Sequence, residues 1–451
     1  MDIYAYCTLL YAYCTTHSRS SIIIFCWILT SSYLTRYYLA STCLGFLIRF
    51  TTRSYILYYV VGDVGMSLPP SLHVLGSGPI GLLYAARIRG ALPSFPLTVL
   101  LRERNRWRLG GAGTIAAVVA PGPWAVAEDP PAAAVREDLP AEVIAVGGAS
   151  PPPPERQIRN LLLATKAPDA AEALRSVAGR LHSGGCSVLI LGNGALAVRD
   201  ELEGVLASVG RRFRRARNAD GGGDGDGGDG AGIVSLHLAS TTHGAHHGKG
   251  DRADGGDGDA VSPAYSIVHA GLGRTYVGAG PFAALFDRAG LLRSSPATEA
   301  EMRVLQWKKL ATNCAVNPFT ALRLCRNGDL LAAGRGMASA MDEVVKEVAS
   351  VATEEARAAG DVPEEALAEL GYAPLRAFVD EVVRATAENT SSMLQDVQAR
   401  RHPTEVRWLN GYVARVGRER HGLACPVNDD LCTRIEELSK GFGENTTNNR
   451  Q

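Results

Sequence analysis

The chain has 451 residues, with 46 Lys and Arg against 46 Asp and Glu, so its formal net charge is zero. At ~100–200 residues per domain, this length allows two or three domains with substantial cores. The balanced charge excludes the electrostatic footprint of a nucleic-acid binder, and nine Cys are too few for a disulfide scaffold.

The averages conceal two compositions joined near Met66. Residues 1–65 hold 10 of the 15 Tyr and four of the nine Cys (Cys7, Cys14, Cys26, Cys43), and no Lys or Glu. Their longest uncharged apolar run, between Arg19 and Arg36, is 16 residues diluted by Ser and Thr. A bilayer span needs roughly 20 mostly apolar residues. The expectation is an unassigned N-terminal extension, disordered or outside the mature protein, with translation starting at Met66. An organelle-targeting or membrane segment is the alternative, in which case a mitochondrial location replaces the cytoplasmic one.

From Leu72 the pattern is that of an ordinary soluble enzyme. The apolar run Leu72–Leu75 meets Gly76-Ser77-Gly78-Pro79-Ile80-Gly81, followed by an Ala-rich helical stretch to about Gly90 and a second apolar run, Leu97–Leu101. This is a strand, a glycine turn, a helix and a strand, one βαβ unit. In a dinucleotide site the first glycine makes the tight turn, the second lets backbone approach the pyrophosphate and the third packs helix on strand. The free N–H groups of the helix N-terminus then face the phosphates. At the end of the second strand an acid would hold the ribose of NAD, whereas an Arg suits the 2′-phosphate of NADP. Arg102 occupies that position, so NADPH is favoured.

Residues 121–155, with Pro151–Pro154 consecutive, read as a long surface insertion. Asn160–Ala164 and Ser187–Leu191 read as a third and a fourth strand, separated by the amphipathic helix Asp169–Leu181. Residues 218–260 contain 14 Gly and 8 Asp in two tracts around a strand at 233–248, and are expected to be a solvated low-complexity insertion. Residues 266–278 read as a strand pair around Gly271 and Gly273. The remainder is helical, with Val344, Val345, Val348, Val351 and Ala352 on one stripe stopped by Gly360. The fold class expected is therefore an α/β Rossmann-type domain over 66–290, followed by an all-α domain over 291–451.

Three clusters in the helical half carry polar groups. Lys309, Asn313 and Asn317 lie at i, i+4 and i+8 and share one face of an otherwise apolar helix. Burying them without partners would be costly, and Pro318 is expected to end or kink the helix there and open a cavity. Asn389 and Ser392 are neighbours on a second helix. Thr404 is placed to cap a helix that starts at Glu405 and runs through Val413 toward Gly422. His243, His246 and His247 form a small cluster that no Cys or carboxylate completes at ligand spacing, so no metal is expected. Cys314 and Cys325 read as core thiols, and Cys425 and Cys432 lack CxxC spacing.

In this order, the glycine turn, Thr165-Lys166-Ala167, Gly192-Asn193-Gly194, Thr242-His243-Gly244-Ala245, Trp307 to Ala321 with Asn327-Gly328, Thr390 to Asp396, and Thr404-Glu405 with Asn410-Gly411 resemble the ketopantoate reductase (2-dehydropantoate 2-reductase) family. The resemblance runs over about residues 70–440. It implies a Rossmann domain followed by an all-α domain of the 6-phosphogluconate dehydrogenase C-terminal type, with the active site between them. It implies NADPH-dependent reduction of 2-dehydropantoate to pantoate, the step feeding pantothenate and coenzyme A synthesis. Lys309 matches the family's catalytic lysine and Glu405 its assisting carboxylate. Asn313, Asn317, Asn327, Asn389 and Ser392 match substrate-binding groups. Gly76, Ser77, Gly78, Pro79, Ile80, Gly81, Arg102, Lys166 and Asn193 match cofactor-binding ones.

The partner implied is a small 2-oxo acid, with no nucleic acid and no membrane for 66–451, and a homodimer is allowed. The turn Gly194-Ala195-Leu196 departs from the family in lacking a second glycine. The alternatives are a reductase of another branched 2-oxo acid, or a non-catalytic binding or regulatory protein of this fold.

Overall fold

A computed structural model describes residues 23–30, 33–40, 56–61, 68–110, 112–123, 133–144, 157–215, 232–248, 264–278 and 280–447. The chain divides into two compact units, Met1–Ser67 and Leu68–Gln451. In the first, Ile23–Thr30 pairs antiparallel with both Tyr33–Ala40 and Ile56–Val61, segments rich in the β-branched and aromatic residues that suit a pleated sheet. The expectations for the rest of this unit, for Pro151–Pro154 and for the Asp-Gly tracts at 218–231 and 251–260 lie outside the described residues.

The second unit opens with β1 (Leu72–Leu75), α1 (Pro79–Ala91) and β2 (Leu97–Leu101), followed by β3 (Thr114–Pro121), β4 (Val135–Val143) and β5 (Asn160–Leu163). Next come α2 (Ala167–Val177), β6 (Cys186–Leu191), α3 (Ala195–Ser208), β7 (Arg212–Arg215) and β8 (Ile233–Thr241). The remaining strands are β9 (Gly244–His247), β10 (Tyr265–Gly271), β11 (Thr275–Gly278) and β12 (Ser294–Ala297), with α4 (Pro281–Arg288) before the last. They form one sheet in the order β9-β10-β3-β4-β2-β1-β5-β6-β8-β11-β12, with β7 beside β8.

The six central strands, β4 to β8 in that order, are all parallel. Counted along the chain they run third, second, first, fourth, fifth, sixth, the doubly wound dinucleotide-fold order. The order reverses between β1 and β5, and ligands of such sheets bind in the crevice beyond the carboxyl ends there.

Apolar runs such as β1, in which every residue is buried, mark strands covered on both faces. Their side chains alternate between two cores, as a two-residue period requires. Leu72, Val74, Val99, Leu101, Leu162 and Leu189 enter the core beneath α1 and α4. Leu75, Leu100, Leu161, Leu163, Val188 and Ile190 enter the other, which runs through α2 and α3 into the helical half.

Two strand assignments are corrected. The stretch 121–155 is not one insertion, because it contains β4, which pairs parallel with β2 and antiparallel with β3. Its charged run Arg136-Glu137-Asp138 gives it the composition of a loop, although its pairing is central. The segments 165–167 and 192–194 consequently follow the fourth and fifth parallel strands. Residues 266–278 form two strands, but β10 joins β3 and β9 whereas β11 joins β8 and β12.

After Ala297 every regular element is helical. These are α5 (Glu299–Arg323), α6 (Asp329–Ala332), α7 (Arg335–Ala359), α8 (Glu364–Ala368), α9 (Tyr372–Ala385), α10 (Ser392–Gln398), α11 (Asn410–Val416) and α12 (Pro426–Thr447). A capping box opens α5: Glu301 N donates to Thr298 Oγ1 at 3.2 Å, and Thr298 N donates to Glu301 Oε2 at 2.8 Å. The Val stripe of α7 is buried, and Gly360, in the left-handed region at φ +71°, ends that helix. No helix among the described residues is long and apolar enough to cross a membrane.

Two local expectations also change. Helix α5 does not stop at Asn317 but continues through Pro318 to Arg323. Pro318 lacks the N–H that the Cys314 carbonyl would accept, and Asn410 Nδ2 supplies that bond instead, at 3.1 Å. Thr404 does not cap a helix: its Oγ1 is buried with no hydrogen-bond partner among the described residues. Glu405–Trp408 is a single 3₁₀ turn, because Leu409 (φ −109°, ψ −96°) leaves the helical region before α11 begins.

Candidate active site

The three loop glycines have the separate geometries a dinucleotide cradle needs. Gly76 has φ +126°, and a Cβ there would lie 2.6 Å from the Ala164 carbonyl. At Gly81 a Cβ would meet the Gly76 oxygen at 2.1 Å, so this glycine permits the close approach of α1 to the loop. At Gly78 a Cβ would meet nothing within 4 Å, which leaves its backbone open to a ligand. Pro79 opens α1, whose N-cap Gly78 offers no side-chain cap, so its first N–H groups remain for an anion. The donor set fits a pyrophosphate. Asn105 Nδ2 donates to Ser77 Oγ at 3.2 Å and ties the turn after β2 to this loop.

Arg102 follows β2, and its Nη2 lies 3.1 Å from Asp169 Oδ2 in the first turn of α2. Lys166 precedes α2, and its Nζ lies 2.8 Å from Asp396 Oδ2 and 3.8 Å from Glu405 Oε2. Burial works against its charge, but Glu405 and Asp396 outweigh it and raise its pKa.

Glu405 is buried at the junction of the two halves. Its Oε1 accepts from Ala167 N at 3.2 Å, and its Oε2 accepts from Asn193 Nδ2 at 3.0 Å. The same Asn193 amide lies 3.5 Å from Ser392 Oγ. One carboxylate from the helical half thus holds two loops at the carboxyl edge of the parallel sheet. Gly194, at φ +63°, lets the β6–α3 turn approach Trp408, which a Cβ would meet at 2.8 Å.

Lys309 and Asn313 line a narrow crevice of about 10 Å³, closed to a substrate-sized molecule in this structure, with Gly194, Ala195, Leu196, Gln306, Leu310 and Trp408. Lys309 Nζ donates to the Thr241 carbonyl, at the end of β8, at 3.0 Å. Burial pushes its pKa down to about 8, and Glu405 acts in the opposite direction. Among the described residues the Thr241 carbonyl is its one hydrogen-bond partner, which leaves two of its three N–H donors for a ligand oxygen. Gln306 Nε2 donates to the Ala239 carbonyl at 2.9 Å and fixes the same face of α5 against β8.

The other amides are placed differently. Asn317 is buried one turn beyond Asn313. Asn327 is buried; its Nδ2 donates to Thr386 Oγ1 at 3.0 Å, and its Oδ1 has no partner among the described residues. Asn389 does not share a helix with Ser392: it lies in the loop before α10, exposed, and its carbonyl accepts from Asn327 N at 3.1 Å. The structure thus brings together Lys166, Asn193, Ser392 and Glu405, sets Lys309 and Asn313 in the adjoining cleft, and links Asn327 to Asn389 through backbone. His243 turns inward, with Nδ1 2.9 Å from His269 Nε2 and Nε2 2.9 Å from the Leu292 carbonyl.

Asp396 escaped the sequence reading as a site residue. It is buried, and its Oδ1 pairs with Arg401 at 3.1 Å while its Oδ2 pairs with Lys166. Its spacing of four from Ser392 places both on one face of α10 and was the available signal.

Two family profiles match the chain: "Ketopantoate reductase PanE/ApbA" over residues 72–281 and "Ketopantoate reductase PanE/ApbA C terminal" over 301–439. The 2-dehydropantoate 2-reductase of Vibrio cholerae is 37% identical over 214 residues, 46% of this chain and 62% of that protein. That of Salmonella typhimurium is 34% identical over 188 residues, 40% of this chain and 56% of that protein. The chain therefore matches little more than half the length of these relatives.

Among solved structures, a D-mandelate dehydrogenase ternary structure with NADH and anilino(oxo)acetate superposes with a TM-score of 0.57 at 15% identity, covering 83% of this chain and 99% of that one. A PanE/ApbA family ketopantoate reductase from Ralstonia eutropha gives 0.55 at 18% identity, with the same coverage. At such identities these two share the fold. Taken with the profiles, which together match most of its length, the chain belongs to the ketopantoate reductase family.

Proposed function

We propose that this protein reduces 2-dehydropantoate to pantoate with NADPH. The observation that carries this reading is Lys309, a half-buried lysine with its pKa near 8, which lines a crevice together with Asn313 and the turn after β6. Bound dinucleotide supplies the hydride. As the ketone carbon accepts hydride its oxygen gains charge, and a cationic donor within hydrogen-bond reach stabilises it and gives up a proton. Lys309 Nζ fills that role, leaving a neutral amine that solvent reprotonates. A pKa near 8 suits this step, because the amine is still largely protonated at neutral pH yet releases its proton more readily than an ordinary lysine.

In this reading Asn313, Asn317, Asn327, Asn389 and Ser392 orient the 2-oxo acid. Glu405, Lys166 and Asn193 hold the nicotinamide end of the cleft. Gly76 to Gly81 cradle the pyrophosphate, and Arg102 receives the 2′-phosphate.

The test is NADPH oxidation by the full chain with 2-dehydropantoate beside a panel of other branched 2-oxo acids. The expected result is the highest kcat/KM for 2-dehydropantoate; a higher value for another member reassigns the substrate, and no turnover by folded protein that binds NADPH defeats the reading. For the cofactor, Arg102→Ala is expected to weaken NADPH binding about 10- to 100-fold while leaving NADH within about threefold, because only the 2′-phosphate loses its charged partner. Isothermal titration with both dinucleotides measures this, and an unchanged ratio refutes the assignment of Arg102.

A further inference from the structure

We infer that Asn410 is a positioning residue of the active site, acting through the Cys314 carbonyl that Pro318 leaves without its helical partner; this rests on the functional reading above. Three facts carry the inference. In an α-helix the carbonyl of residue 314 accepts from the N–H of residue 318, and at 318 the residue is proline. Cys314 is fully buried, so water cannot satisfy its oxygen, and an unmet buried acceptor is expensive. Asn410, also fully buried, donates to it at 3.1 Å.

The direction of the Asn410 amide follows from the groups behind it. Glu347 accepts from Val427 N and Asn428 N at 2.9 Å and from Asn428 Nδ2 at 2.8 Å. An ionised carboxylate only accepts, so the NH₂ of Asn428 faces Glu347 and its Oδ1 faces Asn410. Asn410 Nδ2 donates to that Oδ1 at 2.9 Å and spends its second hydrogen on Cys314. The remaining atom, Asn410 Oδ1, is buried without a partner among the described residues. The site thus tolerates an orphan acceptor on Asn410 while satisfying the one on α5, as expected where the helix must hold its shape.

What this holds is the proposed reaction geometry. Cys314 lies between Asn313 and Asn317 on the helix that carries Lys309, whereas Asn410 begins α11 directly after the turn that carries Glu405 and Trp408. One amide therefore sets the helix of the proton donor against the turn of the buried carboxylate. A shift of about 1 Å between such groups is enough to lower a rate about 100-fold.

The test combines Asn410→Leu, Pro318→Ala and the double variant. Asn410→Leu is expected to lower kcat for 2-dehydropantoate about 10- to 100-fold while NADPH affinity stays within about twofold. Pro318→Ala restores the N–H for Cys314, so the double variant is expected to recover at least about tenfold over Asn410→Leu. Equal activity in Asn410→Leu and the double variant, both folded, overturns the inference, as does an Asn410→Leu enzyme within about twofold of the parent. Urea unfolding of the same four proteins reads the coupling without turnover. If the parent reduces no 2-oxo acid, the functional reading fails, whereas additive unfolding free energies, showing no 410–318 coupling, defeat the hydrogen-bond exchange itself.

Discussion

Lys309→Ala is expected to lower kcat for 2-dehydropantoate by about three orders of magnitude while NADPH binding stays within about twofold. In the proposed reaction the amine meets the developing alkoxide, and its tether to the Thr241 carbonyl keeps it aimed without neutralising it. Its depressed pKa gives a second signature. Because the reactive form is protonated, kcat/KM in the parent enzyme falls as pH rises through about 8, whereas an ordinary lysine would hold the rate to about pH 10. Steady-state kinetics from pH 6 to 10 measure both effects. A variant that keeps more than about a tenth of the parent kcat removes Lys309 from the proton-donor role.

Glu405→Gln is expected to lower kcat/KM by about 100-fold and to move the alkaline limb of the pH profile further down. The carboxylate accepts from Ala167 N and Asn193 Nδ2 and lies beside Lys166, so only acceptor atoms suit the position. A glutamine would turn its NH₂ either toward Asn193 and Lys166 or toward Ala167 N, setting donor against donor in both orientations. The sign of the pH shift follows from charge: Glu405 raises the pKa of Lys309, and without it burial alone pushes that amine lower. A limb that stays in place or moves up, measured on folded variant protein, separates Glu405 from the proton donor.

Much of the site was legible because its signals are local. The loop from Gly76 to Gly81, the acceptor-seeking face of Lys309, Asn313 and Asn317, and the Gly360 stop each depend on backbone periodicity within a few residues. Strand β4 was not legible, because its consecutive charges Arg136-Glu137-Asp138 and its Pro140 match a loop as well as a strand until β2 and β3 pair with it. Pro318 misled for a related reason: it breaks a helix in isolation, and the amide that replaces its missing bond lies 96 residues from the carbonyl it serves. At Thr404 a good capping residue met a backbone that turns at Leu409, and neighbouring residues alone do not specify that turn.

The sequence by itself determined the fold class, the glycine cradle and the shared helix face of Lys309, Asn313 and Asn317, since spacing along one strand or helix settles each of these. Only the tertiary structure decided who faces whom. Lys166 meets Asp396 across 230 residues, Glu405 meets Ala167 across 238, and Asn193 meets Glu405 across 212. Such pairs form when the helical half packs on the carboxyl edge of the sheet; burial then lowers the pKa of Lys309, whereas Glu405 and Asp396 overcome burial and raise that of Lys166. That energy depends on distance and exclusion of water, neither of which is a property of a linear pattern.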